Sequence, residues 1–120
     1  MSNVLFVEYP KCSTCKKAKN YLDEKGVSYT SRHIVEDNPT VEDLKEWHRL
    51  SGLPIRRFFN TSGMLYRERN LKAVLDAGAT DEECYEILAE NGMLVKRPIL
   101  VTETTAIPGF REATWEEALN

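Results

Sequence analysis

The chain has 120 residues, 42% of them hydrophobic and 29% charged, with a formal net charge of −3. That length buries a core without crosslinks, and the charge balance offers no field to draw in a phosphate backbone, which argues against direct nucleic-acid binding. Apolar runs such as VLFV at 4–7 are too short to cross a bilayer, and the start lacks a basic segment followed by an apolar one. The expectation is a single cytoplasmic domain, 1–120, with no membrane partner.

Residues 4–7 form a near-continuous apolar run, suited to a strand covered on both faces. After Cys12, the residues Cys15, Ala18, Tyr21 and Leu22 recur at spacings of three and four, and Gly26 follows Lys25 at a natural stop. This predicts a helix of about three turns that begins at the cysteine motif. Residues 27–34 (VSYTSRHI) are rich in β-formers, so the opening reads as strand, helix, strand, a parallel pair with a right-handed crossover.

The middle of the chain changes character. Residues 40–50 carry Val41, Leu44 and Trp47 on one face behind a capping Thr40 and Asp43, and stop near Gly52. A short helical turn is expected at 54–59, a short helix at 71–77, and a further helix opened by Thr80 with Glu83 at the capping-box position. Strands return at 99–102 and 106–110, and Thr114 with Glu117 repeats the capping-box spacing around a terminal helix. The fold class is therefore α/β. A βαβ unit and a ββα unit (1–36 and 93–120) share a mixed sheet of about four strands, split by a helical insertion at 37–92, as in a modified thioredoxin-like fold.

Two of the three cysteines, Cys12 and Cys15, lie in YPKCSTCKKA with only Ser13 and Thr14 between them. In a reducing compartment such a pair points to catalysis, redox sensing or metal binding rather than a structural crosslink. Cys12 falls at the helix start, where unpaired N–H groups and the positive end of the dipole favour a thiolate, so it is the better nucleophile. Lys11, Lys16 and Lys17 add screened positive charge nearby. Cys15, one turn on, has two readings: a resolving thiol that attacks a mixed disulfide at Cys12, or a small buried residue on the inward helix face. Zinc needs a second ligand pair, and Cys84, His33 and His48 are isolated, so no metal is expected. Cys84 reads as a core residue beside Ile87 and Leu88, and the two histidines as surface or core-edge groups. Pro98 precedes a strand in KRPILV, and the residues alone do not fix the isomer of its peptide bond.

Taken in order, YPKCSTCKKA, GLPIRRFFNTSG and KRPILV closely resemble the arsenate reductase-like (ArsC/Spx) branch of the thioredoxin superfamily, over essentially the whole chain. The resemblance implies Cys12 as the nucleophile, Cys15 as its dithiol partner, and Arg97 beside a cis peptide bond to Pro98. It further implies a substrate held around Lys11, Ser13, Thr14, Asn60 and Pro98. Arsenate reductases of this kind hold the oxyanion with three arginines, a geometry suited to guanidinium donors. Here Asn60 and Gly109 stand where two of those arginines would be, with Arg56, Arg57 and Arg111 only nearby. The expected function is thus an arsenate reductase-like thiol–disulfide oxidoreductase with no bound cofactor. Glutathione is its expected co-substrate, and a small thiol, a protein disulfide or glutaredoxin its expected partner. The alternatives are an Spx-like redox sensor that binds the RNA polymerase α subunit, and a genuine arsenate reductase.

Overall fold

The structure, a computed structural model, describes residues 4–120. Its centre is the strand that composition requires to be covered on both sides. This is β1 (Leu5–Glu8), in which Phe6 and Val7 are fully buried on opposite faces. β1 pairs in parallel with β2 (Thr30–His33) and antiparallel with β3 (Ile99–Val101); β3 pairs antiparallel with β4 (Ala106–Pro108), in the order β2-β1-β3-β4. The mixed four-stranded sheet of a thioredoxin-like fold is as the sequence leads one to expect.

Each face has its own core. On one, Phe6 and Leu100 pack with Ala18 and Leu22 of α1 (Ser13–Glu24) and with Trp115 of the terminal helix. On the other, Val7 and Ile99 meet Leu44 and Trp47 of α2 (Val41–Ser51), Phe58 of the 3-10 turn Ile55–Phe58, and Leu88 of a later helix. Burial of these apolar side chains is the main term holding the layers together.

The insertion is almost wholly helical: α2 and the 3-10 turn are followed by α3 (Met64–Glu68), α4 (Leu71–Asp76) and α5 (Asp81–Glu90). It is tied to the sheet layer in two ways. Phe59 forms an isolated antiparallel bridge with Val95. Gly92, which opens the 3-10 turn Gly92–Leu94, lies so close to the Ile34 carbonyl that a Cβ there would overlap it.

Several boundaries differ from expectation, each for a local reason. β2 is four residues long rather than eight, because the Val27 N–H turns back to the Leu22 carbonyl and pairing with β1 starts only at Thr30, whose N–H reaches the Val4 carbonyl. β4 stops at Pro108, since Gly109 adopts φ +86° and leaves the strand. α6 (Glu112–Leu119) starts with Arg111 as its uncapped N-cap, so Thr114 lies inside the helix and the expected Thr114–Glu117 box does not form. The buried Trp115 fixes that start: its N–H bonds the Arg111 carbonyl and its indole Nε1 donates to the Gly109 carbonyl at 2.9 Å. Helix α3 and the Gly92–Leu94 turn carry no strong periodic signal and were not expected.

Candidate active site

Cys12 is the N-cap of α1, with extended backbone (φ −86°, ψ 127°) that aims its side chain across the first turn. Its own N–H is held by the Tyr9 carbonyl at 2.9 Å, and its carbonyl accepts the first helical bond, from Lys16 at 3.1 Å. The sulfur makes no tight capping bond of the kind an oxygen makes. It is approached instead by the N–H groups of Cys15 and Thr14, by the Cys15 thiol and by Arg97. Partial burial alone would raise the Cys12 pKa, but these donors outweigh it and hold the thiol below the ordinary cysteine range.

Cys15 is the opposite case. It is fully buried on the inner face of α1, where desolvation is the largest cause that pushes its pKa up to about 12. The Tyr9 N–H donates to its sulfur at 3.5 Å, and its own thiol hydrogen-bonds the Cys12 sulfur. Both are free thiols in this structure. The Cys12 thiol, at the cleft, is the more acidic of the two, and the Cys15 thiol behind it is the less acidic. The Cys15 sulfur is therefore buried, as one reading of the sequence has it, and also in contact with the Cys12 sulfur.

Arg97 is held over this pair by three contacts. Its guanidinium lies 5.0 Å from the Tyr9 ring centroid, its Nη1 donates to the Met93 carbonyl at 3.5 Å, and it donates to Cys12. The Arg97–Pro98 peptide bond is cis, and Pro98 is buried behind the arginine.

Cys12 opens onto a cleft of about 890 Å³. Thr14, Asn60 and Arg97 also line it; Lys11, exposed on the turn before α1, Ser13, exposed as the first residue of α1, and the buried Pro98 do not. Asn60 does not present its side chain as a charge substitute. Its Nδ2 donates to the Met93 carbonyl at 3.4 Å, the same oxygen that receives Arg97, and its Oδ1 accepts from Ser62 at 3.4 Å. Gly109 contributes no side chain, and the space a Cβ would take there is bounded by Lys96 Cε at 3.3 Å. Of the three neighbouring arginines, Arg56 is bound to Asp76 at 2.6 Å, whereas Arg57 and Arg111 line the cleft without an ion-pair partner among the described residues. Sequence reasoning missed Tyr9 and Lys96. Tyr9 immediately precedes the motif's proline and Lys96 sits inside KRPILV, so both were in view, but only the fold shows what they touch.

The remaining candidates are occupied elsewhere. Cys84 is fully buried, and desolvation first, then Asp81 and Glu83, raises its pKa. His48 Nδ1 is 2.6 Å from the Tyr85 hydroxyl, and His33 Nδ1 accepts the Val35 and Glu36 N–H groups at 3.1 Å. Among the described residues no three His, Cys, Asp or Glu side chains gather as a metal site, and no helix is long and apolar enough to cross a membrane.

A cysteine of lowered pKa at a helix start, a second thiol behind it and a cis-proline before the neighbouring strand mark a thioredoxin-like fold with a thiol pair at its cleft. The ArsC family profile matches residues 7–118, and the chain belongs to that family. It is 46% identical over 115 residues to the uncharacterized protein YusI of Bacillus subtilis, covering 96% of this chain and 97% of that one. It is 30% identical to the regulatory protein MgsR of the same organism, over 88% of this chain and 81% of that one. A crystal structure of an ArsC family related protein from Bacteroides fragilis superposes with a TM-score of 0.92 at 53% identity, covering 96% of each chain.

Proposed function

We propose that the chain is a cytoplasmic thiol–disulfide oxidoreductase. The observation that carries this reading is the environment of one sulfur: Cys12 is solvent-facing, approached by two backbone N–H groups, a thiol and a guanidinium, and acidified by them. In the reaction the Cys12 thiolate attacks one sulfur of a substrate disulfide, breaking that bond and releasing one thiolate, which takes up a proton. The mixed disulfide at Cys12 carries no charge, so the Cys15 thiol loses the acceptor that held its proton. Cys15 passes that proton to the departing sulfur and attacks Cys12, forming the Cys12–Cys15 disulfide and releasing the second thiol. Two electrons have moved from the protein to the substrate. Two glutathione molecules, or the dithiol of a glutaredoxin, return them.

The test uses hydroxyethyl disulfide with glutathione as reductant. Turnover disappears in Cys12→Ser, and Cys15→Ser accumulates a mixed disulfide at Cys12 that mass spectrometry detects. Turnover that survives Cys12→Ser rules the reading out. Arsenate reduction is expected to be weak, because Asn60 is turned to a backbone carbonyl and Gly109 has no side chain, leaving Arg97 as the one cation retained at a family position.

The contact between Cys12 and Cys15 also favours a second reading, a redox-switched regulator like the Spx proteins, and a regulatory protein is among the relatives. It predicts that the chain co-purifies with the RNA polymerase α subunit in one redox state only and shows no sustained turnover.

A further inference from the structure

The cleft in front of Cys12 has a composition that the thiol chemistry does not require. Five cationic side chains line it, Arg56, Arg57, Lys96, Arg97 and Arg111, against one carboxylate, Glu117, in a chain whose acids outnumber its bases by 19 to 16. Asp76 neutralises Arg56 and Arg97 is committed to Cys12, but Arg57, Lys96 and Arg111 have no ion-pair partner among the described residues. They come from three separate places: the 3-10 turn Ile55–Phe58, the loop before β3 and the loop after β4. Cations from three separate segments around a cleft of about 890 Å³ suit a ligand that carries more than one negative charge. Between them the walls are apolar or backbone: Phe59 is fully buried at the cleft wall, Ile107 and Phe110 are half-buried, and residues 105–109 pass along one side.

Resting on the oxidoreductase reading, we propose that the cleft is a docking surface for an acidic polypeptide segment, a disulfide flanked by Asp or Glu residues, with Arg57 and Lys96 as its specificity-determining residues. Charge complementarity argues for this occupant, because separated cations favour negative charges carried on several side chains and an open apolar wall favours a chain that lies along it. Lys96 is placed for this by its neighbour. Gly109 has φ +86° and no side chain, so the Lys96 stem lies over it, 3.3 Å from where a Cβ would stand. A larger residue at 109 would compete with that stem at the edge of the cleft that Lys96 lines.

The experiment is single-turnover reduction of three peptide disulfides by the reduced protein, with no other reductant. The peptides share one core around the cysteine and differ only in flanking Glu, Ser or Lys. One disulfide becomes two thiols as the Cys12 and Cys15 thiols become their disulfide, so electrons and protons balance within the pair. The expected result is that the Glu peptide reacts about tenfold faster than the Lys peptide at low ionic strength, converging in high salt. In the Arg57→Gln/Lys96→Gln variant, its fold confirmed by circular dichroism, the Glu-to-Lys rate ratio falls several-fold. Equal rates for all three peptides, or a ratio insensitive to salt, overturn the proposal. Glutathione disulfide outpacing the Glu peptide overturns it too, by assigning the cations to a small carboxylated thiol. If hydroxyethyl disulfide and every peptide stay oxidised, the oxidoreductase reading itself has failed; reduction of hydroxyethyl disulfide without charge preference sinks only the docking surface.

Discussion

The N-termini of α2 and α5 solve one problem in a way that the N-terminus of α1 does not. Each helix starts with N–H groups that lack intrahelical partners. In α2 and α5 a complete capping box closes them: Thr40 with Asp43, and Thr80 with Glu83, side chain to backbone in both directions. In α1 a cysteine holds the capping place, no tight side-chain bond forms, and there is no acidic residue in the first turn. The amide field that elsewhere secures a helix is left here to lower the pKa of a thiol. A helix start that is poorly finished as structure is a usable one as chemistry.

The sharpest way to break this comparison is to finish the cap. Cys12→Ser should lower disulfide reduction by roughly 10³-fold or more, since the nucleophile is gone. The same variant should raise unfolding stability in urea by about 0.5–1 kcal/mol, because serine is a better N-cap. Loss of both activity and stability would mean that the sulfur is itself a structural part.

The next effect is on pH dependence, and the two cysteines carry opposite signs. Cys12 is lowered in the folded state, so its contribution to stability is present above the ordinary thiol value and lost as pH falls through its folded value. Cys15 is raised to about 12, so its contribution is present below the ordinary value. It is lost as pH climbs through the window from there to about 12, where the unfolded chain ionises and the folded one does not. Urea midpoints should therefore drop on the alkaline side, and Cys15→Ala should flatten that drop.

Arg97→Gln should raise the pH midpoint of Cys12 alkylation, because one of the donors that lower it is lost. Tyr9→Leu should raise it by less, through loss of the ring beneath the guanidinium, while Tyr9→Phe preserves it. A Tyr9→Leu effect that persists undiminished in the Arg97→Gln background would separate the two residues. The smallest effect is the control on the other side of the comparison. Thr80→Ala should cost about 1 kcal/mol in stability and leave the Cys12 alkylation midpoint where it was.

Much of this was legible in the sequence, because it rests on local patterns. The capping boxes of Thr40–Asp43 and Thr80–Glu83 announce their helices with residues three apart, and VLFV declares a strand covered twice over. The same local rule failed at Thr114, where a distant demand prevailed: burial of Trp115 and its bond to the Gly109 carbonyl start the helix earlier. At the site, the spacing of Cys12 and Cys15 marked the two thiols that the fold brings into contact. The support given by Tyr9, the diversion of Asn60 to Met93 and the reach of Lys96 over Gly109 were not legible. Each joins residues far apart in the chain or depends on which way a side chain turns.

The contact of Gly92 with the end of β2 carries the argument outward from the sulfur. That glycine begins the turn whose next residue supplies the carbonyl shared by Arg97 and Asn60. One added methyl group at Gly92, wedged against Ile34, would lift the turn and with it the seat of the guanidinium. Thiol acidity is therefore exposed to remote control at a position bearing no functional group of its own.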